Sequence, residues 1–147
     1  MGDVSTLHVV FRVGDAEYLL AASDVLQLES YTGATPVPGA PAFVDGLVHV
    51  RGRVVPVLDL RERFRLPRAA PVLGTRIIVA EVRGRRVGLV VDSAREVIHI
   101  APEQLKPPPR VLVERAEGLV QAVAHVGDRL LMLIDFSRVL GEEQLPS

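Results

Sequence analysis

Four segments of this 147-residue sequence follow one pattern, and that pattern restricts the fold more than any other feature. Each contains an apolar run, a short turn with a glycine, a second apolar run and a closing aspartate: residues 9–24, 48–59, 77–92 and 122–135. Glycine suits such a turn because tight hairpin turns need a positive φ. The runs are rich in Val, Ile and Leu, as in strands that curl around a small core. The sequence therefore predicts four β-hairpins.

Two further strands are predicted at residues 25–31 and 96–100, after the first and third hairpins. A proline-containing interruption at 66–75 separates the first two hairpins from the last two. We therefore expect one domain over residues 1–147, mainly all-β, built from two small antiparallel barrels packed together. Each barrel would contain two consecutive hairpins and the extra strand that lies between them, with the divide near 66–75.

Short helices are expected after two of the closing aspartates. Asp59 is followed three residues later by Glu62, which is a variant capping box, and Asp135 precedes a C-terminal helix at about 136–145. Pro102 suits the first position of another short helix. A carboxylate cluster is the alternative for the aspartates, but each ends a hairpin, so we interpret all four as structural: Asp24, Asp59, Asp92 and Asp135.

Composition and spacing argue against catalysis and against several classes of partner. The 17 basic and 18 acidic residues give a net charge of −1, which does not favour nucleic acid as the main partner. There is no cysteine, no GxSxG motif and no phosphate-binding loop. The histidines have no metal-ligand spacing: His8, His49, His99 and His125. We therefore expect a protein that is not an enzyme and has no cofactor or metal.

The sequence also predicts the cellular location of the protein. No apolar run approaches the roughly 18 residues of a membrane-spanning helix. The acidic start of the sequence does not resemble a secretory signal. We expect a cytoplasmic protein without membrane insertion. Three arginines in one turn are interpreted as solvated charges, with an acidic protein patch as the functional alternative: Arg83, Arg85 and Arg86.

The stretch RGRVVPVLDL, residues 51–60, places a cationic side chain in the tight turn of the second hairpin. This stretch, in its context GLVHVRGRVVPVLDLRERF (46–64), resembles the CheW family of chemotaxis coupling proteins. Four more segments resemble the family, so the resemblance covers nearly the whole chain: 40–46, 75–100, the proline-rich connector 101–109, and 127–140. It implies SH3-like barrels of five strands each and a non-enzymatic adaptor.

The resemblance also implies partners and site residues. The family binds the cytoplasmic tip of a chemoreceptor and the regulatory domain of a CheA-type histidine kinase, and association with other CheW-like domains is possible. A receptor helix would lie in an apolar groove between the barrels, in a helix-in-groove mode. Residues expected at the groove or its functionally sensitive turn are Val25, Leu28, Gly46, His49, Arg51 and Gly52. A loop expected to face the kinase contains Thr35, Pro36 and Val37.

Three positions depart from the family pattern, which usually has Asn at His49, often has Glu at Gln27, and has a cation in the loop where this chain has Pro36. If the missing carboxylate normally pairs with the turn arginine, that pair would be absent here. An accessory adaptor that binds receptors or another regulator, but not the kinase, is therefore the first alternative. A small-ligand-binding β-barrel is the alternative from another class.

For Arg51 itself, two roles stay open at this point. Its side chain either contacts a partner at the edge of the groove or braces the turn from within.

Overall fold

The computed structural model describes residues 7–115 and 118–141, without the side chain of Arg115. Its strands are β1 (Leu7–Val13), β2 (Ala16–Ala21), β3 (Val25–Ser30), β4 (Val44–Val50), β5 (Arg53–Asp59), β6 (Arg76–Val82), β7 (Arg85–Val91), β8 (Ser93–His99), β9 (Val120–Val126) and β10 (Arg129–Ile134). The helices are α1 (Leu60–Arg63), α2 (Arg110–Arg115) and α3 (Phe136–Leu140), with 3₁₀ turns at Ala22–Asp24 and Pro102–Gln104. Within the described ranges, no helix is long and apolar enough to cross a membrane.

The strands form two five-stranded sheets, which confirms the predicted fold class. The first sheet has the order β8-β1-β2-β10-β9 and the second has the order β3-β6-β7-β5-β4. Neither is a closed barrel in the described part of the chain, since each order ends at an edge strand on both sides. Each sheet also contains one parallel pair, β2 with β10 and β5 with β7, so the prediction of wholly antiparallel barrels is wrong in this detail.

The predicted grouping of the hairpins is wrong. The first sheet combines the first and fourth hairpins with β8, and the second combines the middle hairpins with β3. The segment 66–75 therefore connects two strands of the same sheet and is not a divide between barrels. The physical reason is that the chain crosses to the second sheet after β2 and returns after β7, so β3 to β7 form that sheet as one continuous segment. As a result β3 and β8 each pair with a hairpin other than the one they follow, which we call the exchange of β3 and β8.

The two sheets have equivalent strand orders, which gives the chain an internal two-fold relation that extends to the register. In each sheet a one-residue bulge interrupts the edge strand that is not part of a hairpin, β8 or β3, and another interrupts the hairpin at the opposite edge, β9–β10 or β4–β5. Isolated bridges also correspond, with Thr35 opposite Leu47 and Lys106 opposite Val123. The four similar hairpin segments are therefore two copies of one unit of five strands, and each unit contributes its first hairpin to one sheet and its other three strands to the other sheet.

The core has three parts. The largest cluster contains buried side chains from both sheets, including Phe11, Leu58 and Leu89, and it lies between them. A smaller cluster lies on the other face of each sheet, around Leu19 in the first and Val57 in the second. Because both faces of the central strands are covered, their apolar runs are continuous and do not alternate with polar residues.

A structural role was predicted for all four aspartates, and three of them make structural hydrogen bonds. Asp59 accepts hydrogen bonds from the backbone N–H groups of residues 61 and 62 at the start of α1, and Asp135 accepts one from Arg138 in α3. Asp92 lies where the chain crosses between sheets and accepts from the Gly14 N–H at 2.7 Å. Its carboxylate also receives two hydrogen bonds from the Arg61 guanidinium, at 2.9 and 2.8 Å.

The helix predictions have mixed outcomes. Pro102 occupies the first position of its 3₁₀ turn, as predicted. The predicted C-terminal helix is α3, which ends at Leu140 before Gly141 with a φ of 78°, and residues 142–145 of that prediction lie outside the described residues. Helix α2 follows the proline-rich connector and was not predicted.

An ion cluster joins three strands of the first sheet, and we call it the Arg129 clamp. The Arg129 guanidinium on β10 donates to Glu17 on β2 and to Glu96 on β8, with the shortest N–O distances at 2.8 and 2.7 Å. These hydrogen bonds hold the pKa of both carboxyl groups below the usual range for glutamate.

The Arg129 clamp predicts a loss of stability in acid. A carboxylate with a lowered folded-state pKa contributes stability above its unfolded pKa, and loses it as the pH falls through the folded value. The melting temperature should therefore decrease once the pH is lower than about 4, because free glutamate becomes protonated there. Melting scans from pH 6 to pH 3 should show a weaker fall for Arg129→Gln than for the wild type. Parallel curves for the two proteins would contradict this assignment.

Candidate partner-binding surface

The turn between β4 and β5 consists of Arg51 and Gly52, both with positive φ, at 49° and 81°. Two consecutive positive φ values define the type I′ turn, whose twist matches that of a two-stranded hairpin. Glycine adopts this geometry without strain, whereas arginine does not prefer it. The turn therefore holds the Arg51 side chain at the outer end of the hairpin, where it is 75% exposed.

Arg51 has a carboxylate partner, contrary to the expectation drawn from Gln27. Its Nε lies 3.4 Å from Oε2 of Glu29, two residues further along β3. Gln27 and Glu29 pair with Val79 and Ile77, which both lie in the cluster on the outer face of the second sheet. The carboxylate therefore comes from the next position on the same face of β3. The contact is long and exposed, so it adds little stability.

Gly46 holds a loop in place and does not present a contact surface. It is buried with a φ of 147°, and a Cβ built there would lie 2.2 Å from the carbonyl oxygen of Thr35. The Thr35 N–H donates to Leu47 at 2.9 Å, and the Leu47 N–H donates back at 2.8 Å. This bridge fixes the segment with Thr35 and Pro36 exposed and Val37 half-buried.

His49 is exposed on β4, opposite Val54 on β5. An open cleft of about 470 Å³ lies between β3 and β4, and Glu29, Thr35 and His49 are among its lining residues. The structure thus brings the predicted turn and the predicted loop to one side of the second sheet, together with Glu29.

Val25 and Leu28 lie on the other side of that sheet. They are three residues apart, which in a regular strand would place them on opposite faces. The bulge between residues 25 and 27 restores a common face, so that Val25 pairs with Ala80 and Leu28 with Ile78, both in the core between the sheets. Val25 is packed against this core, whereas Leu28 is 41% exposed.

The two-fold relation places a second exposed apolar residue on the equivalent strand. Val97 on β8 pairs with Val9, which belongs to the same inter-sheet core, and is 55% exposed. Strand β8 contacts β6 across the interface, and the turn before β3 contacts β1. We call Leu28 and Val97 the apolar seam. They flank the junction of the sheets, one from each, and suit contact with an apolar helix.

Sequence reasoning missed two of these residues. The sequence alone does not identify Glu29 as the partner of Arg51, because only the register of β3 shows which side chain of this strand faces Arg51. Val97 lies in a predicted strand, and its role depends on the exchange of β3 and β8. The repeated pattern of the hairpins was the available signal, since it implied that Leu28 has a counterpart.

A polar cleft of about 660 Å³ lies near α1. The Arg68 guanidinium contacts Asp45 at 2.7 Å and Asp59 at 3.5 Å, and Tyr31 donates a hydrogen bond to Asp45. Burial raises the pKa of the Asp59 carboxyl. Across the described ranges, no three acidic or histidine side chains converge in a geometry that could hold a metal ion.

Two interlocked five-stranded sheets, with an exposed turn on one and an apolar seam between them, define a class of all-β modules suited to protein contacts. The family model of the CheW-like domain matches residues 7–144. The chain therefore belongs to the CheW-like domain family.

Relatives and a solved structure agree with this assignment over the length of the chain. The chemotaxis protein CheW of Rhizobium meliloti is 32% identical over 136 residues, which is 92% of this chain and 88% of the relative. That of Bacillus subtilis is 32% identical over 139 residues, covering 95% and 89%. The crystal structure of the scaffolding protein TtCheW from Thermoanaerobacter tengcongensis superposes with a TM-score of 0.87 at 29% identity, covering 97% of this chain and 99% of that one.

Proposed function

We propose that this protein is a non-enzymatic adaptor that couples the cytoplasmic tips of chemoreceptors to a CheA-type histidine kinase. The observation that carries the proposal is the pair of exposed apolar side chains at the junction of the sheets, in a chain of the CheW-like family. The adaptor would work in the cytoplasm, recruited to receptor arrays at the inner face of the membrane.

The apolar seam is proposed to take the receptor. A chemoreceptor tip is helical, and an amphipathic helix docks by laying its apolar face along a groove. Leu28 and Val97 would contact that face, and Val25 is packed against the core on the same face of β3 as Leu28. Exposed apolar side chains that border a continuous core favour such a contact, because they gain burial without rearranging the fold.

The loop held by Gly46 is proposed to face the kinase regulatory domain, together with the β4–β5 turn. Thr35 and Pro36 are exposed in the loop, and Arg51 and His49 are exposed nearby. The pair between Arg51 and Glu29 orients the guanidinium towards this side of the sheet. Other CheW-like domains would be further partners for this surface.

Separate titrations decide between the coupling adaptor and the accessory adaptor. A receptor cytoplasmic fragment and a kinase regulatory domain from the same genome would each be titrated into the purified protein by calorimetry. Saturable binding of both supports coupling, and the departures at Gln27, His49 and Pro36 are then tolerated. Binding of the receptor fragment alone would reject kinase coupling and support the accessory adaptor.

Arg51→Glu should weaken binding of the kinase regulatory domain by about tenfold, because it reverses a charge at the proposed contact. Stability should change little, since the pair with Glu29 is exposed. Arg83→Glu is the matched control, because Arg83 precedes Gly84 in the other Arg-Gly turn, with a φ of 52°. Cooperative melting and calorimetry check both variants. Loss of cooperative melting in Arg51→Glu alone would show that Arg51 braces the fold instead.

A further inference from the structure

The two-fold relation allows the Arg129 clamp to be compared with its counterpart in the second sheet. In the first sheet, Leu131 on β10 pairs with Glu17 on β2, and Arg129 precedes Leu131 by two residues on the same face. The other carboxylate is on β8, where Glu96 pairs with Val10. These positions lie on the outer face of the first sheet, since Val10 and Leu131 belong to its own cluster.

The equivalent positions in the second sheet are occupied by different chemical groups. Arg53 begins β5 as Arg129 begins β10, and both pair with the last residue of the preceding strand. Arg86 is the second residue of β7, as Glu17 is of β2. Gln27 follows the bulge of β3 as Glu96 follows that of β8. One arginine is retained, but both carboxylates are replaced, one by an amide and one by a second arginine.

The replacements leave positive charge with little compensation. No ion pair or hydrogen bond joins the Arg53 guanidinium to another residue of the described ranges. The nearest carboxylate to Arg86 is that of Glu81, at 3.8 Å, and both side chains are about 40% exposed. Glu81 is also the cross-strand neighbour of Arg86, so it lies on the hairpin and not at the position of the missing acids.

We infer that Arg53, Arg86 and the Gln27 amide form a binding site for a carboxylate from an acidic segment of a partner protein. In the first sheet this place is filled from within by two glutamates, which shows that the backbone arrangement accommodates carboxylates there. Two guanidinium groups and an amide donor match the acceptor geometry of a carboxylate. The inference does not depend on either partner proposed above.

The test uses the full chain labelled with ¹⁵N-arginine, observed through the side-chain Nε–H signals at constant ionic strength. The probes are a blocked tetraglutamate peptide and, separately, inorganic phosphate. Variants Arg53→Gln and Arg86→Gln assign the signals. Tetraglutamate should shift the Arg53 and Arg86 signals together along one saturable curve. The Arg83 signal, from the neighbouring turn, should stay in place.

Gln27→Glu provides the decisive variant, because its carboxylate would occupy the site from within. Its apparent affinity for tetraglutamate should fall at least about tenfold, and its melting temperature should rise. Gln121→Glu is the matched control, since Gln121 is exposed on β9 of the first sheet and adds the same charge. The inference is overturned if Arg53 shows no saturable shift, if Gln27→Glu binds like the control, or if phosphate binds as tightly as the peptide.

Discussion

Gly46→Ala should lower the free energy of unfolding by roughly 2–4 kcal/mol, from backbone strain and overpacking together. The new Cβ would lie 2.2 Å from the Thr35 carbonyl oxygen and 2.6 Å from its carbonyl carbon. Both are backbone atoms, so no side-chain rotation can relieve the clash. The bridge between Thr35 and Leu47 must therefore open, and the loop that contains Pro36 must move.

Gly33→Ala is the matched control, because Gly33 has a similar φ of 138° but nothing within 4 Å of a built Cβ. It should cost about 1–2 kcal/mol from backbone strain alone. Urea unfolding measures both variants, and amide exchange at Thr35 and Leu47 shows whether the bridge has opened. Equal losses in the two variants would contradict the clash. Unchanged protection of Leu47 in Gly46→Ala would contradict it as well.

Leu28→Glu should weaken binding of a receptor cytoplasmic fragment by at least about 30-fold, or roughly 2 kcal/mol. The substitution removes apolar area from the proposed contact and places a charge where a helix would exclude water. Val97→Glu should have a similar effect, because Val97 is the two-fold counterpart of Leu28. Both side chains are partly exposed already, so stability should change little.

Leu130→Glu is the control for the seam, since Leu130 is 45% exposed but lies on β10, paired with His125 in the far hairpin. Calorimetry with the receptor fragment should give wild-type affinity for this variant. Binding of the kinase regulatory domain should be retained in all three variants. Wild-type receptor affinity in Leu28→Glu, or equal losses in Leu130→Glu, would contradict the role of the apolar seam.

The hairpins could be predicted from the sequence because their signals are local. Each turn joins two apolar runs of strand length through a glycine, and the backbone at Gly14, Gly52, Gly84 and Gly127 has the positive φ that such turns need. The caps of α1 and α3 are also local, since each depends on one aspartate and the next three residues.

The assignment of strands to sheets could not be predicted in the same way. The apolar residues of β3 and β8 would suit pairing with the first or the third hairpin. The apolar pattern of a strand does not specify which strand it pairs with. The observed pairing brings together residues that are distant in sequence, such as Asp92 with Gly14 and Arg61 at the crossing, and no local pattern encodes these contacts. Because the two units have similar patterns, periodicity does not show which hairpin each of these strands joins.

The candidate site shows the same division between local and long-range signals. Arg51 is exposed because it lies in a hairpin turn, and the Arg-Gly pair that indicates this turn can be recognised in the sequence. Its pairing with Glu29 depends on the register of β3. The family resemblance placed Gly46 among the partner-binding residues. In the structure the Thr35 backbone lies so close to Gly46 that the residue is needed to position the loop.

The most direct test of the central claim is whether this protein bridges its two proposed partners. A receptor cytoplasmic fragment would be immobilised on a biosensor surface, and the kinase regulatory domain would be passed over it with and without this protein. Coupling predicts that the kinase domain is retained only when this protein is present, and that Leu28→Glu abolishes the retention. If this protein saturates the receptor surface and the kinase domain still passes without retention, the account of a coupling adaptor is contradicted.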